Sequence, residues 1–130
     1  MRYGFGTTVV RPFTETLAAT REALAEQGFG VLTEIDVAAT LKQKIDVDVP
    51  AQVILGACRP PLAHAALQAE PSIGLLLPCN VVVRDVGEGA TTVEAVDPQI
   101  METLTENDKL AEVSADARQR LQAALDSLSG

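Results

Sequence analysis

The sequence contains no tryptophan, and its aromatic residues are one tyrosine and three phenylalanines. So few aromatic side chains argue against a stacking surface for single-stranded nucleic acid. Basic residues are also scarce, because ten lysines and arginines stand against eighteen aspartates and glutamates. The resulting net charge of −8 repels phosphate backbones. We therefore expect no nucleic-acid partner.

Cysteine is rare, and the two that occur, Cys58 and Cys79, form no Cys-x-x-Cys pair. The ligand spacing of a zinc site is therefore absent, and we expect no metal and no cofactor. No apolar run approaches the roughly 18 to 20 residues that span a membrane. The first residues also lack the apolar core of a signal peptide. These absences predict a cytoplasmic protein with reduced thiols and no membrane association.

What the chain does contain is enough apolar material for a core, since 47% of its 130 residues are hydrophobic. We expect one domain over residues 1–130, because no linker or repeat divides the sequence. Apolar residues that alternate, or that recur every three or four positions, predict about five strands and three or four helices. The expected strands fall at residues 3–9, 29–35, 53–58, 81–83 and 91–96, and the clearest helices at 12–27, 37–44, 60–70 and 107–128. Gly28 is the expected stop of the first helix. The nearly unbroken apolar run at 53–58 is typical of a central strand covered on both faces, and Gly87-Glu88-Gly89 predicts a hairpin turn between the last two strands.

No motif identifies a reaction. A Walker loop and a G-x-S-x-G elbow are absent, and Gly4-x-Gly6 lacks the third glycine of a dinucleotide fingerprint. The main chemical candidate is Cys79, which follows Pro78 where a loop enters a strand. A nucleophilic cysteine needs a base or a positive neighbour, and the available ones are Arg59, Arg84 and His64. The alternative is a small buried packing residue, which is the commoner role of a free cysteine and also applies to Cys58.

Two carboxylates, Glu34 and Asp36, lie two residues apart on the second strand and therefore share a face. They are expected to point away from Phe29, Val31, Thr33 and Ile35. Such a pair can bind a cation or share a proton. The alternative is that Glu34 is solvated and Asp36 caps the following helix.

Four segments resemble the domain-of-unknown-function 302 family: EIDVAATLKQK from Glu34, ILGACRPPLAHAAL from Ile54, GLLLPCNVVVR from Gly74 and DPQIM from Asp97. The resemblance implies a two-layer α+β domain similar to the TATA-box-binding-protein-like fold, with a curved, mostly antiparallel sheet and helices on one face. It also implies a homodimer, and it implies no known activity. The chain departs from the family pattern at Arg59, where asparagine is more usual, and at Asp108, where proline is expected.

Three functions remain open. The first is a non-catalytic domain that binds a small apolar ligand or has a regulatory role. Its expected site consists of Glu34, Cys58, Arg59, Cys79 and Asn80. The second is a thiol-dependent enzyme or redox sensor that uses Cys79. The third is a dimer that serves only assembly. Because the resemblance implies antiparallel strands, we expect both thiols at one end of the sheet, with Cys79 the more exposed. We also expect either Val81 or Val83 to face the core.

Overall fold

The computed structural model describes residues 1–129, in which strands and helices mix along the chain. The strands are β1 (Gly4–Val9), β2 (Gly30–Asp36), β3 (Gln52–Cys58), β4 (Cys79–Gly87) and β5 (Ala90–Val96). The α-helices are α1 (Phe13–Glu26), α2 (Val37–Ile45), α3 (Pro60–Ala69), α4 (Gln99–Thr105) and α5 (Ala111–Leu128). Two short 3₁₀ helices cover Pro71–Leu76 and Asp108–Leu110.

The strands form one sheet in the order β1-β5-β4-β3-β2, and every neighbouring pair is antiparallel. This arrangement, with helices packed on an open sheet, confirms the expected α+β class. Strands β4 and β5 are joined by the predicted hairpin, in which Gly87, Glu88 and Gly89 all have positive φ. Glycine adopts this left-handed backbone without the steric penalty of a side chain, and it occupies two of the three positions.

The main core lies between one face of the sheet and the helices α1 and α5. Val81 and Val83 are both fully buried on this face, which we call the helix face. The expectation that only one of them points inward is wrong, because residues two apart on a strand share a face. Leu24 of α1 and Leu121 of α5 are buried against them in the same cluster.

Strand β2 departs from the expected simple alternation. Its pairing with β3 shifts between Val31 and Thr33, which inserts Leu32 as an extra residue. A bulge of this kind reverses the side-chain parity. Phe29 is therefore buried in the core, whereas Ile35 lies on the opposite face and is largely exposed. The expectation that Phe29, Val31, Thr33 and Ile35 share one face is wrong.

Strand β3 was expected to be central and covered on both faces, but β4 occupies the centre of the sheet. On the face of β3 away from the core, the side chains of Thr33 and Pro78 lie over Gly56. A Cβ atom on Gly56 would lie 2.9 Å from Pro78 Cγ and would overlap the Thr33 hydroxyl. The buried Gly56 therefore lets these two side chains close over the strand.

A second apolar cluster lies at the end of the sheet where β3 finishes and β4 begins. Its buried members are Ala66, Ile73, Met101 and Leu110, from α3, the two 3₁₀ helices and α4. Because this cluster stands beside the main core, the space between them forms the first candidate site described below.

Candidate functional site

The first candidate site is a small cavity between the two apolar clusters, which we call the thiol cavity. It encloses about 30 Å³ and is bordered almost wholly by apolar atoms. A cavity needs only about 10 to 15 Å³ of such space to hold a water molecule, so this one has room for water. Residues that line it include Cys58, Arg59, Leu62, Cys79, Met101 and Ala117.

Both cysteines reach this cavity because of the strand pairing. Cys79 is the direct partner of Ala57 in the antiparallel pair β3–β4, so Cys58 lies one residue beyond that pair. The expectation that the two thiols share one end of the sheet is therefore confirmed. Both are free thiols.

The expected exposure of the thiols is wrong. Cys79 is only 8% exposed, because it shares the helix-face parity of Val81 and Val83, whereas Cys58 is partly exposed. Burial raises the pKa of the Cys79 thiol from 9.0 to about 11, and the neighbouring Cys58 adds a smaller electrostatic contribution. At neutral pH Cys79 is therefore protonated, which argues against its role as an enzymatic nucleophile.

Arg59 is the charged residue among those that line the thiol cavity. Its Nε atom is buried, and within residues 1–129 it has no hydrogen-bond partner. The side chain lies against Gly28, where a Cβ atom would stand 2.9 Å from Arg59 Nε. Gly28 has a φ of 83°, and it follows α1 at the helix stop that the sequence predicts. Buried donors without partners are uncommon in folded proteins, so the Nε atom of Arg59 is an unusual feature of this site.

The other two groups considered as partners for Cys79 lie elsewhere. His64 is exposed on α3 and does not line the thiol cavity. Arg84 lies on the other face of the sheet and pairs with Glu94, with its Nη2 atom 3.1 Å from Glu94 Oε1. The structure therefore brings Cys58, Arg59 and Cys79 together, without a histidine.

The second candidate site is a groove on the sheet face opposite α1 and α5, which we call the open face. The groove has a volume of about 460 Å³ and runs over β1, β5 and β4. Tyr3, Val82 and Val96 contribute its apolar surface, and Arg84 and Glu94 contribute its charges. The expected site residue Asn80 also lines this groove.

Glycines allow the neighbouring strands to approach one another at this groove. A Cβ atom on Gly4 would lie 2.8 Å from the Ala95 carbonyl oxygen, and one on Gly6 would lie 2.7 Å from Glu94 Cγ. Because Gly4 and Gly6 have no side chains, the surface of the open face is recessed beside β1. No sequence motif points to Glu94, although the alternation of residues along the two strands of the predicted hairpin places it on the same face as Arg84.

Glu34 and Asp36 do not form a shared site. Glu34 pairs with Arg21 of α1. Asp36 caps α2, because its Oδ1 accepts a hydrogen bond of 2.9 Å from the backbone N–H of Ala39. The capping alternative predicted from the sequence is confirmed for Asp36. Within residues 1–129, no group of three or more His, Cys, Asp or Glu side chains is arranged to hold a metal ion.

Comparison with known proteins identifies relatives but no activity. The family model described as domain of unknown function DUF302 matches residues 5–128. The fold is also similar to a crystal structure of an uncharacterized conserved DUF302 protein from Bacillus stearothermophilus, with a TM-score of 0.88 and 30% identity. That match covers 97% of this chain and 98% of the other. No curated protein matched, and no helix within residues 1–129 is long and apolar enough to cross a membrane.

Proposed function

This chain belongs to the DUF302 family, and we propose that it is a non-catalytic protein that binds a small ligand and acts as a homodimer. The observation that carries the proposal is the groove on the open face, with its volume of about 460 Å³. Small-molecule sites typically occupy about 300 to 1,000 Å³ and combine apolar walls with a few polar groups. The thiol cavity, at about 30 Å³, is too small for such a ligand.

The side chains of the groove favour a particular ligand chemistry. Tyr3, Val82 and Val96 would contact an apolar body, while Arg84 and Glu94 offer one positive and one negative group. The two charged groups pair with each other at 3.1 Å, so a polar ligand group must compete with that ion pair. We therefore expect a small, mainly apolar molecule with one polar end that hydrogen-bonds to Arg84 or Asn80.

The groove also supports a binding function over catalysis. Neither cysteine nor the single histidine lines it, and its charged residues are an arginine and a glutamate already paired with each other. A site of this composition can position a ligand, but it lacks an activated nucleophile.

The same face is the best candidate for pairing with a second copy. The chain carries a net charge of −8, which opposes self-association over most of its surface. In the groove, by contrast, Arg84 balances Glu94, and Tyr3 is 67% exposed. A two-fold axis that passes between Arg84 and Glu94 would set Arg84 of each copy near Glu94 of the other, because the same patch then faces itself. A second copy placed there would also cover the groove and exclude water from the ligand.

Mass spectrometry under native conditions tests ligand binding. Protein purified without denaturation should carry a co-purifying small molecule that is released on unfolding. Asn80→Trp places a large side chain in the groove and should abolish that mass, whereas His64→Trp, on the exposed surface of α3, should retain it. Equal occupancy in both variants would show that the ligand binds elsewhere. A wild-type protein without a bound molecule would contradict the proposed ligand binding.

Sedimentation tests the dimer independently of any ligand. The wild type should sediment as a dimer at micromolar concentration, with an interface of more than about 1,000 Å² in total. Tyr3→Glu should shift it toward monomer. Leu104→Glu is the matched control, because Leu104 is 65% exposed on α4, close to the 67% of Tyr3. A monomeric wild type, or equal effects of the two variants, would contradict a dimer through the open face.

A further inference from the structure

The Arg84–Glu94 ion pair limits which polar group of a ligand can bind in the groove of the open face. The two side chains are 39% and 31% exposed, so both can be reached from the groove that they line. Arg84 Nε donates a hydrogen bond of 3.3 Å to Glu94 Oε1, and Arg84 Nη2 lies 3.1 Å from the same oxygen. The pair therefore differs from a bidentate fork, which engages both carboxylate oxygens. Glu94 Oε2 can still accept a hydrogen bond, and the guanidinium retains N–H groups that can donate.

The strand register determines what lies beside this ion pair. Val82 is the direct partner of Glu94 in the β4–β5 pairing, and Val96 lies two residues beyond Glu94 on the same face. On the β1 side, Glu94 and Val96 pair with Gly6 and Gly4, which have no side chains to cover them. A ligand that reaches the ion pair therefore places its apolar body on Val82 and Val96.

The two charges of the pair cancel, which disfavours a charged ligand group at this position. A carboxylate bound to Arg84 would stand beside the Glu94 carboxylate, and an ammonium bound to Glu94 would stand beside the guanidinium. Like charges this close repel each other. An amide has no net charge, and it presents a carbonyl acceptor next to an N–H donor. Its oxygen can accept from Arg84 while its N–H donates to Glu94 Oε2, and the contact through Oε1 is kept.

We propose that the groove recognises an uncharged amide group with a free N–H, as in a carboxamide, lactam or imide, on a mainly apolar ligand. This assignment rests on the ligand-binding function proposed above and names the polar group of that ligand. Arg84 is the donor to the ligand, Glu94 is the acceptor, and Val82 and Val96 contact the apolar body. The site gains specificity because its two charges repel charged analogues of the same shape.

Nuclear magnetic resonance titrations with matched probes test this ligand class on the wild-type protein. Phenylacetamide supplies the amide, and N,N-dimethylphenylacetamide keeps the carbonyl but has no N–H. Phenylacetate and phenethylamine carry the same ring with a negative and a positive charge. Phenylacetamide should shift the signals of Val82 and Val96, and should bind at least about tenfold more tightly than each other probe, because each of them loses a charge-assisted hydrogen bond or adds a like charge. Equal affinities, or no binding by any probe, would overturn the proposal.

Charge variants test the assigned roles of the two side chains. Glu94→Gln leaves Arg84 without its counter-charge, so phenylacetate should then bind more tightly than phenylacetamide. Arg84→Gln leaves Glu94 uncompensated, so phenethylamine should become the preferred probe. Glu112→Gln and Lys44→Gln make the same changes in net charge at exposed positions outside the groove, and should keep the wild-type order. An unchanged order in the groove variants, or the same changes in the controls, would refute the assigned roles.

Failure of the amide class is distinguishable from failure of the ligand site itself. If Asn80→Trp abolishes a co-purifying mass while all four probes bind the wild type equally, the groove binds a ligand of another class. If no molecule co-purifies and no probe binds, both proposals are contradicted.

Discussion

The burial of Val81 can be tested with a substitution whose cost follows from its surroundings. Val81 is fully buried in the central strand β4, and its register partners are Leu55 on one side and Ala95 on the other. All three are apolar, so a carboxylate at this position finds no hydrogen-bond partner in the sheet pairing. Losing the valine contacts costs about 2 kcal/mol. Burying the unpaired carboxylate adds about 3 kcal/mol or more.

We therefore expect Val81→Asp to lower the free energy of unfolding by about 5 kcal/mol, which approaches the whole stability of a typical domain. Val81→Ala isolates the packing loss and should cost about 2 kcal/mol. Asn80→Asp places the same carboxylate one residue away on the exposed open face, and should change stability by less than about 0.5 kcal/mol. Urea unfolding followed by circular dichroism measures all three.

The pH dependence of Val81→Asp provides a second check. Burial raises the pKa of the new carboxyl group above its unfolded value of about 3.9. Between those two values the folded state holds a proton that the unfolded state has lost. Stability should therefore fall as pH rises, by about 1.4 kcal/mol per pH unit within that window. If Val81→Asp and Asn80→Asp unfold alike at pH 7, and neither shows this dependence, Val81 does not face the core.

Further substitutions test other features of the structure. Asp36→Ala should cost about 1 kcal/mol in urea unfolding, because it removes the cap on α2, and an unchanged midpoint would contradict that role. Gly28→Ala should cost about 1 to 2 kcal/mol in the same assay, because φ is 83° there and the new Cβ meets Arg59. Between pH 9.0 and about 11 the folded state retains a proton on Cys79 that the unfolded state loses, so stability should fall with rising pH. Cys79→Ala should flatten that slope, and equal slopes would exclude the buried thiol as its source. Finally, labelled DNA should not bind near physiological ionic strength, and salt-sensitive retention on the protein would refute the argument from charge.

Most secondary structure could be predicted because local patterns decide it. Gly28 follows α1, Asp36 caps α2, and positive φ at Gly87 and Gly89 completes the β4–β5 hairpin, all at the expected places. The bulge at Leu32 could not be predicted, because an inserted residue changes parity without any change in composition. The parity of Ile35 therefore depends on its pairing with β3, which is a tertiary property.

The candidate sites were only partly predictable for a similar reason. The position of Cys79 at a loop-to-strand junction correctly placed it at the same sheet end as Cys58, given antiparallel strands. Its burial follows instead from the alternation of residues along β4, which places Cys79 on the same face as Val81. The loop-to-strand junction gives no indication of that face. The pairing of Arg84 with Glu94 could be predicted, because alternation along the hairpin strands places both on one face. The volume of the groove could not, because it depends on how three strands twist together.

The strand order also has a consequence for how the chain folds during synthesis. Strand β1 pairs with β5, so Gly4 has no strand partner until Val96 has been synthesised. Helix α1 likewise packs against α5, near the other end of the chain. Loop closure over such a sequence separation is entropically costly and slows folding. A nascent chain therefore carries β1 without its strand partner until β5 has been made, and α1 without its helix partner until α5 has been made.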